Sequence, residues 1–378
     1  MDRKYIEQFS TSLPRLGYGC MRLPVKDNKI DFDEAKELIH HAYNNGLNYF
    51  DTAYAYHGGE SETFLGKVLP EFKRDTYFLT SKLPVWMVEK EEDAETLFNE
   101  QLQKCNTEYF DFYLLHSLRA ETIEKVEKFN LYDFILKKKQ EGKIKNIGFS
   151  FHDTNDVLKK FAAAHKWDFA QLQINYWDWE ENDAKSMYET LENLNIPCFV
   201  MEPVRGGFLA SFAPHAMKHF KDYNSGASIA SWALRWVADL PNVAIILSGM
   251  SNMEQLQDNM NTFTDIQPIS GEEQKRIQAA VEDLRKIKPV QCTGCRYCMD
   301  CQYGVDIPGV FEVYNDYKKS ENKQIATRSY FTFMSEKERG GNCQECGECM
   351  TKCPQQIKIP DELHKIHNEM LQISSLPR

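Results

Sequence analysis

The sequence predicts an α/β protein in two parts, a (β/α)8 or TIM barrel over residues 1–284 and a small, mostly α domain over residues 285–378. Three observations carry that prediction. Short apolar runs alternate with polar-faced helical stretches throughout the first part. No G-x-G-x-x-G follows any of these runs, since "GYGCMR" offers Gly17 and Gly19 but no third glycine, which disfavours a Rossmann sheet. Finally, the eleven cysteines are unevenly spread, and most of them fall in two tight groups near the C-terminus.

The apolar runs are "RLGYGCM", "LNYFDTA", "TYFLTSK", "DFYLLHS", "IKNIGFS", "FAQLQIN", "CFVMEPV" and "VAIILSG". They are rich in Val, Ile, Leu, Phe and Tyr, and most lack polar alternation, as strands covered on both faces do. Between them lie helical patterns such as "DFDEAKELIHHAYNNG" (31–46), closed by Gly46, and "ETIEKVEKFNLYDFILKKKQEGK" (121–143). Eight strands with helices between them fit a closed barrel better than an open sheet. The charge-rich "VEKEEDAETLFNEQLQK" reads as a solvated helix face. "NYWDWEEND" (175–183) reads equally as packing or as pocket lining. Cys20, Cys105 and Cys198 read as inert core thiols.

The formal charge of −11 and the absence of long basic runs argue against nucleic acid as a partner. No apolar run approaches the ~20 residues of a membrane span. The opening "MDRKYIEQFS" has no apolar core and no cleavage site, so a cytoplasmic location is expected, where thiols stay reduced. Metal ligation is therefore the better reading of the clustered cysteines than a disulfide framework.

The first group is "CTGCRYCMDC", with Cys292, Cys295, Cys298 and Cys301 at every third position. The second is "CQECGECMTKCP", with Cys343, Cys346, Cys349, Cys353 and then Pro354. The second spacing, C-x2-C-x2-C-x3-C-P, is the run that binds [4Fe–4S] clusters. Three thiolates two residues apart can wrap one cubane while the fourth points toward another. Zinc prefers two cysteine pairs separated by a longer loop and suits this spacing poorly.

The two groups are also followed by similar segments. Pro308 in "VDIPGVFEVY" stands at the same interval after Cys301 as Pro360 in "IKIPDELHKI" stands after Cys353. Each proline leads into an amphipathic helical pattern, as its place in a first turn permits. Across roughly residues 288–365 the chain resembles a two-cluster bacterial ferredoxin. The resemblance implies two [4Fe–4S] clusters with crossed ligation: Cys292, Cys295 and Cys298 with Cys353, and Cys343, Cys346 and Cys349 with Cys301. Two features depart from the pattern. The first run ends x2 rather than x3 with Gln302 in place of proline, and the stretch between the runs is longer, adding a helix around "PGVFEVYNDYKK".

In such barrels chemistry sits at the C-terminal ends of the strands. Those ends carry Asp51 in "FDTAYAYHGGESE", with Tyr56 following, then Lys82 in "LTSKLP" and His116 in "LLHS". Each alone has a bland reading as a turn cap, a snorkelling amine or a satisfied histidine; their order on successive strands is the signal. Across residues 10–265 the chain is similar to the aldo-keto reductase family, whose catalytic tetrad is this D-x4-Y, lysine and histidine set. The resemblance implies carbonyl reduction, or the reverse, by hydride from NAD(P)H. Tyr56 would be the proton donor, Lys82 would favour its phenolate, Asp51 would hold Lys82, and His116 would donate to the carbonyl oxygen.

The resemblance also implies nucleotide contacts. Ser150 and Gln173 would hold the nicotinamide amide. Met201 stands at the family's stacking tyrosine, and Phe151 replaces the asparagine that usually follows the serine. Arg205, Gly206 and Gly207 would meet the pyrophosphate, or equally form a turn with a surface arginine; Gly19 and Met21 are further expected cofactor contacts. Gly249, Ser251, Asn252, Gln255 and Asn259 fall on the last phosphate-binding stretch, where Ser251 and Glu254 form a capping box. Residues 248–259 contain no basic side chain, which weakens discrimination for NADP and leaves NADH and NADPH both open.

A hydride enzyme needs no cluster, since clusters pass single electrons. A flavin would convert one currency to the other; no independent flavin motif is present, although a barrel can bind phosphate through loops. Three readings follow. In one, the cluster domain brings electrons to or from a redox partner protein, with the barrel site, which works on a small-molecule carbonyl, as the terminus. Alternatively, the clusters are structural or redox-sensing, or the chain is an electron-transfer module with a nucleotide-binding barrel of low turnover.

Overall fold

The computed structural model of the chain describes residues 1–27, 29–287, 289–320 and 322–375. An antiparallel hairpin of β1 (Arg3–Ile6) and β2 (Thr11–Pro14) precedes β3 (Leu16–Gly19). A short second hairpin, β4 (Val25–Lys26) with β5 (Lys29–Ile30), follows. Then come β6 (Tyr49–Asp51), β7 (Phe78–Leu83), β8 (Phe110–Leu118), β9 (Ile144–Phe151), β10 (Phe169–Gln173), β11 (Cys198–Met201) and β12 (Val243–Ser248). β3 and β6–β12 pair in parallel and in chain order, and β12 closes on β3. Every apolar run singled out in the sequence is one of these barrel strands.

The barrel interior explains where the functional side chains end up. Tyr49, Phe112, Leu114, Phe169, Phe199, Ile245 and Leu247 form its buried core, joined by Ile6, Leu13 and Phe9 of the first hairpin. Side chains alternate along a strand, so the same inward face continues two residues later. That step leads from Tyr49 to Asp51, from Leu114 to His116, from Phe169 to Gln171 and from Phe199 to Met201. Thr80, which donates to the Tyr49 hydroxyl at 2.6 Å, leads in the same way to Lys82.

The chain divides into two compact units, Met1–Pro203 with Ser231–Ile269, and Val204–Ala230 with Ser270–Arg378. In the second, helices Ile307–Ser320 and Ile359–Ser375 each begin Ile-Pro. They pack through Ile307, Val310, Phe311 and Tyr314 against Ile359, Leu363, Ile366 and Met370. The repeat seen in the sequence is thus a pair of equivalent helices around one core.

Two local expectations change, and one left open is narrowed. The single helix expected over 121–143 is two, Ala120–Lys128 and Leu131–Gln140. The break is Asn130 at φ 49°, a left-handed conformation that asparagine tolerates, with its amide donating to Glu91. The charge-rich stretch at 88–104 forms helix Glu91–Lys104, yet it buries Ala94, Leu97, Phe98 and Gln101. The aromatic stretch after β10 packs, with Trp179 against Trp236 and Tyr188. Among the described residues no helix is long and apolar enough to cross a membrane.

Candidate active site and cysteine centres

The ends of β6, β7 and β8 bring Asp51, Lys82 and His116 together, with Tyr56 in the turn Tyr56–Gly59 that follows β6. Lys82 is fully buried, and its Nζ donates to Asp51 Oδ1 at 2.6 Å, to the Thr52 carbonyl at 2.8 Å and to Tyr56 Oη at 3.2 Å. The same ammonium lies 4.7 Å from the centre of the Tyr56 ring. His116 stands edge-on to Tyr56 with ring centroids 6.0 Å apart, and Trp86 covers its other side at 5.1 Å. Burial lowers the Lys82 pKa, and the Asp51 carboxylate opposes that shift. Burial, then the charges of Lys82 and His152, drives His116 well below its ordinary value. At neutral pH the histidine is therefore an uncharged donor.

Behind Lys82 a polar layer braces its backbone. Glu62 is buried and accepts from Ser81 Oγ at 2.5 Å and Gln101 Nε2 at 2.6 Å. Gln101 also donates to the Lys82 carbonyl at 3.0 Å and accepts from Tyr113 at 2.5 Å. Burial raises the Glu62 carboxyl, against the hydrogen bonds from Ser81 and Gln101. Nothing in the charge pattern of 88–104 distinguishes Gln101 from its solvated neighbours.

The expected nucleotide residues separate into groups. Ser150 is buried at the end of β9 and accepts from the Ser117 N–H at 2.8 Å. Gln173 is half-buried, and its amide donates to Asp178 at 2.7 Å. Gln171, two residues deeper on the same face, is buried beside Ser150 in register. Its Nε2 lies 3.5 Å from Met201 Sδ, and its Oε1 has no hydrogen-bond partner. An orphaned buried carbonyl at this depth is costly unless something else supplies a donor, so the residues present fit a carboxamide. The sequence offered Gln171 and Gln173 equally, and only depth separates them.

A Cβ on Gly19 would make only ordinary contact with the end of β12, 3.5 Å from the Gly249 nitrogen, whereas one on Gly249 would come within 2.8 Å of Arg22 Cδ. Met21 follows in the turn Cys20–Arg22. Helix Met253–Thr262 is capped by Asn252, which accepts from Gln255 N–H at 2.9 Å, one position after the expected Ser251 cap. Ser251 is engaged otherwise, its hydroxyl on the Arg22 carbonyl at 2.8 Å and its N–H on Gln255 Oε1 at 2.8 Å. Asn259 donates to Ser248 at 3.0 Å. Arg22 packs along Gly249 and pairs with Glu202 at 3.3 Å. It thus brings to this stretch, from the end of β3, the cation that 248–259 lacks. Arg205 and Gly206 are placed differently: both belong to the second compact unit, where they meet residues 291–293.

The cysteines form two sets. Cys298 feels the charges of Cys295, Cys292 and Cys353, whereas Cys349 feels those of Cys343, Cys346 and Cys301. This is the division that crossed ligation implies. Burial and mutual repulsion push the Cys298 thiol up to about 12 and the Cys349 thiol to about 11. Four thiolates therefore sit together in either set only around a cationic centre. Among the described residues no three His, Cys, Asp or Glu side chains converge on one point as a single ion requires. Instead Cys298, Cys301, Cys343, Cys346 and Cys349 line one open cleft with Tyr303 and Ile307. Cys20, Cys105 and Cys198 are buried, and burial raises all three thiols.

Comparison with known proteins agrees with both halves. Residues 291–361 match the 4Fe-4S dicluster domain. The chain is 24% identical over 313 residues to the uncharacterized oxidoreductase YqkF of Bacillus subtilis, covering 74% of this chain and 96% of that protein. It is 21% identical over 296 residues to L-galactose dehydrogenase of Arabidopsis thaliana, covering 72% and 92%. Among solved structures, the thermostable aldo-keto reductase Tm1743 in complex with the inhibitor epalrestat superposes with a TM-score of 0.62. The match covers 74% of this chain and all of that one at 23% identity. The holo form of AKR11C1 from Bacillus halodurans gives 0.59 at 22% identity, covering 74% and 96%. Such identities carry the fold alone, but residues 15–282 also match the Aldo/keto reductase family directly, and with most of its length accounted for in this way, the chain belongs to the aldo/keto reductase family.

Proposed function

We propose that the barrel reduces a small carbonyl compound to an alcohol, or runs the reverse reaction, and that the cysteine domain holds two [4Fe–4S] clusters that exchange electrons with the barrel site and with a partner protein. The single observation that carries the enzymatic reading is the buried Lys82 ammonium held between Asp51 and Tyr56. A bound nicotinamide dinucleotide supplies the hydride. Tyr56 gives its proton to the carbonyl oxygen as that oxygen becomes an alkoxide. Lys82 stabilises the phenolate left behind, since a free tyrosine near pKa ~10 is a weak acid at neutrality. Asp51 fixes Lys82 in place. Neutral His116 donates a hydrogen bond that strengthens as charge builds on the oxygen.

Ser150 and Gln171 hold the carboxamide, Gln171 taking the part expected of Gln173. Gly249, Ser251 and Gln255, with Arg22 across from them, present the phosphate-binding end. NADH and NADPH both remain substrates of this reading. The thiol-rich domain fits a reducing, cytoplasmic setting. A second reading, in which the clusters are structural or redox-sensing, is favoured by one observation: Cys353 belongs to the domain core, with Cys292, Cys298 and Cys301 packed against it.

The enzymatic reading is tested by carbonyl reduction with the intact protein and its Tyr56→Phe variant. Turnover lost in the variant, with dinucleotide affinity kept, supports it; equal turnover in both contradicts it.

A further inference from the structure

The loop after β11 has a feature that nucleotide binding does not explain. Arg205 is among the largest buried side chains of the described residues, 2% exposed, and its backbone is left-handed at φ 49°. Gly206 and Gly207 follow at φ 64° and 92°. Three successive residues in this conformation make a tight reversal, and a non-glycine residue enters it at a cost. The reversal presses the loop onto the first cysteine run. Arg205 Nη2 lies 3.5 Å from the Gln291 carbonyl. A Cβ on Gly206 would come within 2.3 Å of the Thr293 carbonyl, so only glycine permits this approach. Thr293 is itself buried.

The run is gripped from a second direction. Asn315 accepts from the Val290 N–H at 2.8 Å and donates to the Val290 carbonyl at 2.9 Å. Residues 290, 291 and 293 are therefore each held, and Cys292 is fixed between them. Its sulfur accepts from the Gly294 N–H at 3.3 Å.

We infer that Arg205 is a positioning residue for the iron–sulfur core of Cys292, Cys295, Cys298 and Cys353, and that its charge raises the reduction potential of that core. The inference rests on the cysteine set holding such a core. A guanidinium stays charged at any accessible pH and keeps a planar fork of donors. Four thiolates make the core anionic, and reduction adds one further negative charge. A fixed buried cation next to ligand Cys292 stabilises the reduced state more than the oxidised one. Arg205 and Gly206 then serve the cluster rather than the pyrophosphate.

The test uses full-length protein with clusters reconstituted anaerobically. Iron and acid-labile sulfide are measured first, and EPR is then followed through a redox titration. Wild-type protein without iron would mean the cluster reading itself fails, before Arg205 is addressed. Given loaded protein, Arg205→Met is expected to shift one reduction step to a more negative potential and leave the other unmoved. Arg205→Lys, which keeps the charge, is expected to shift that step less. Dinucleotide affinity is expected to stay within about twofold in both variants. If Arg205→Met loses one core, Arg205→Lys decides: full iron with a near-wild-type step supports the inference, and loss of the core there as well overturns it. Unmoved potentials in loaded Arg205→Met overturn it too. An affinity weakened about tenfold with potentials unmoved returns Arg205 to the nucleotide.

Discussion

The barrel site and the cysteine domain are assembled in opposite ways. In the barrel every charged group meets a protein partner: Lys82 has Asp51, Thr52 and Tyr56, and Glu62 has Ser81 and Gln101. The polypeptide alone joins these catalytic charges. In the cysteine domain the thiols of each set raise one another's pKa, and one of them, Cys346, is exposed. Residues 291–361 match a 4Fe-4S dicluster domain, whose metal core would draw such thiols together as thiolates. A site finished by protein contacts tolerates the departure of its ligand, whereas one finished by metal ties folding to metal binding.

That contrast can be broken most sharply at Tyr56. Tyr56→Phe removes the proton donor without disturbing the Asp51–Lys82 pair, so carbonyl reduction should fall about a thousandfold, within the usual range for a general acid, while the thermal transition stays put. The cysteine domain should respond in the reverse sense. Iron chelation under reducing conditions should abolish protection of the Ile307–Ser320 and Ile359–Ser375 amides in hydrogen exchange, and the β6–β8 amides should stay protected. Equal loss in both places would erase the distinction. At the cofactor end, Gln171→Ala should weaken dinucleotide binding about tenfold or somewhat more, the scale of one buried hydrogen bond, and Gln173→Ala should do less.

The pH profile sharpens the comparison further. Lys82 is lowered by burial, so its charged form is lost as pH rises earlier than for a surface lysine. Reductive turnover should therefore fall on the alkaline side. His116 is held well below its ordinary value, so no acidic limb from it should appear between pH ~5 and ~8, where a solvent histidine titrates. The smallest effect is expected from Glu62→Gln, which keeps the contacts to Ser81 and Gln101 but removes a negative charge behind Lys82. The alkaline limb should move slightly lower, because Glu62 helps keep Lys82 protonated.

Much of this was legible in the sequence because the signals are local. A barrel strand covered on both faces is a short apolar run, and catalytic groups at strand ends fall directly after such runs. Cysteine spacing is equally local. The misses share a different cause. The first hairpin disperses Ile6, Phe9 and Leu13 among polar residues, and its burial appears only once the barrel exists to receive it. Gln171 and Gln173 alternate identically, and depth along the barrel axis leaves no mark on periodicity. Arg22 reaches the 248–259 stretch only because β12 closes on β3. Arg205 in "VRGG" resembles a surface turn until the reversal at Gly206 seats it against residues 291–293.

The central claim, a carbonyl-reducing barrel electrically connected to its cluster domain, is tested most directly by an anaerobic titration of fully loaded protein with NADH and then NADPH. Cluster absorbance and the EPR signal are followed throughout. Bleaching with either nucleotide, together with the appearance of the reduced-cluster signal, is the predicted result, and a bound flavin would be sought next as the converter. Unchanged cluster spectra while carbonyl reduction proceeds at its normal rate would contradict the connection and leave the clusters as structural or sensing elements beside an ordinary reductase.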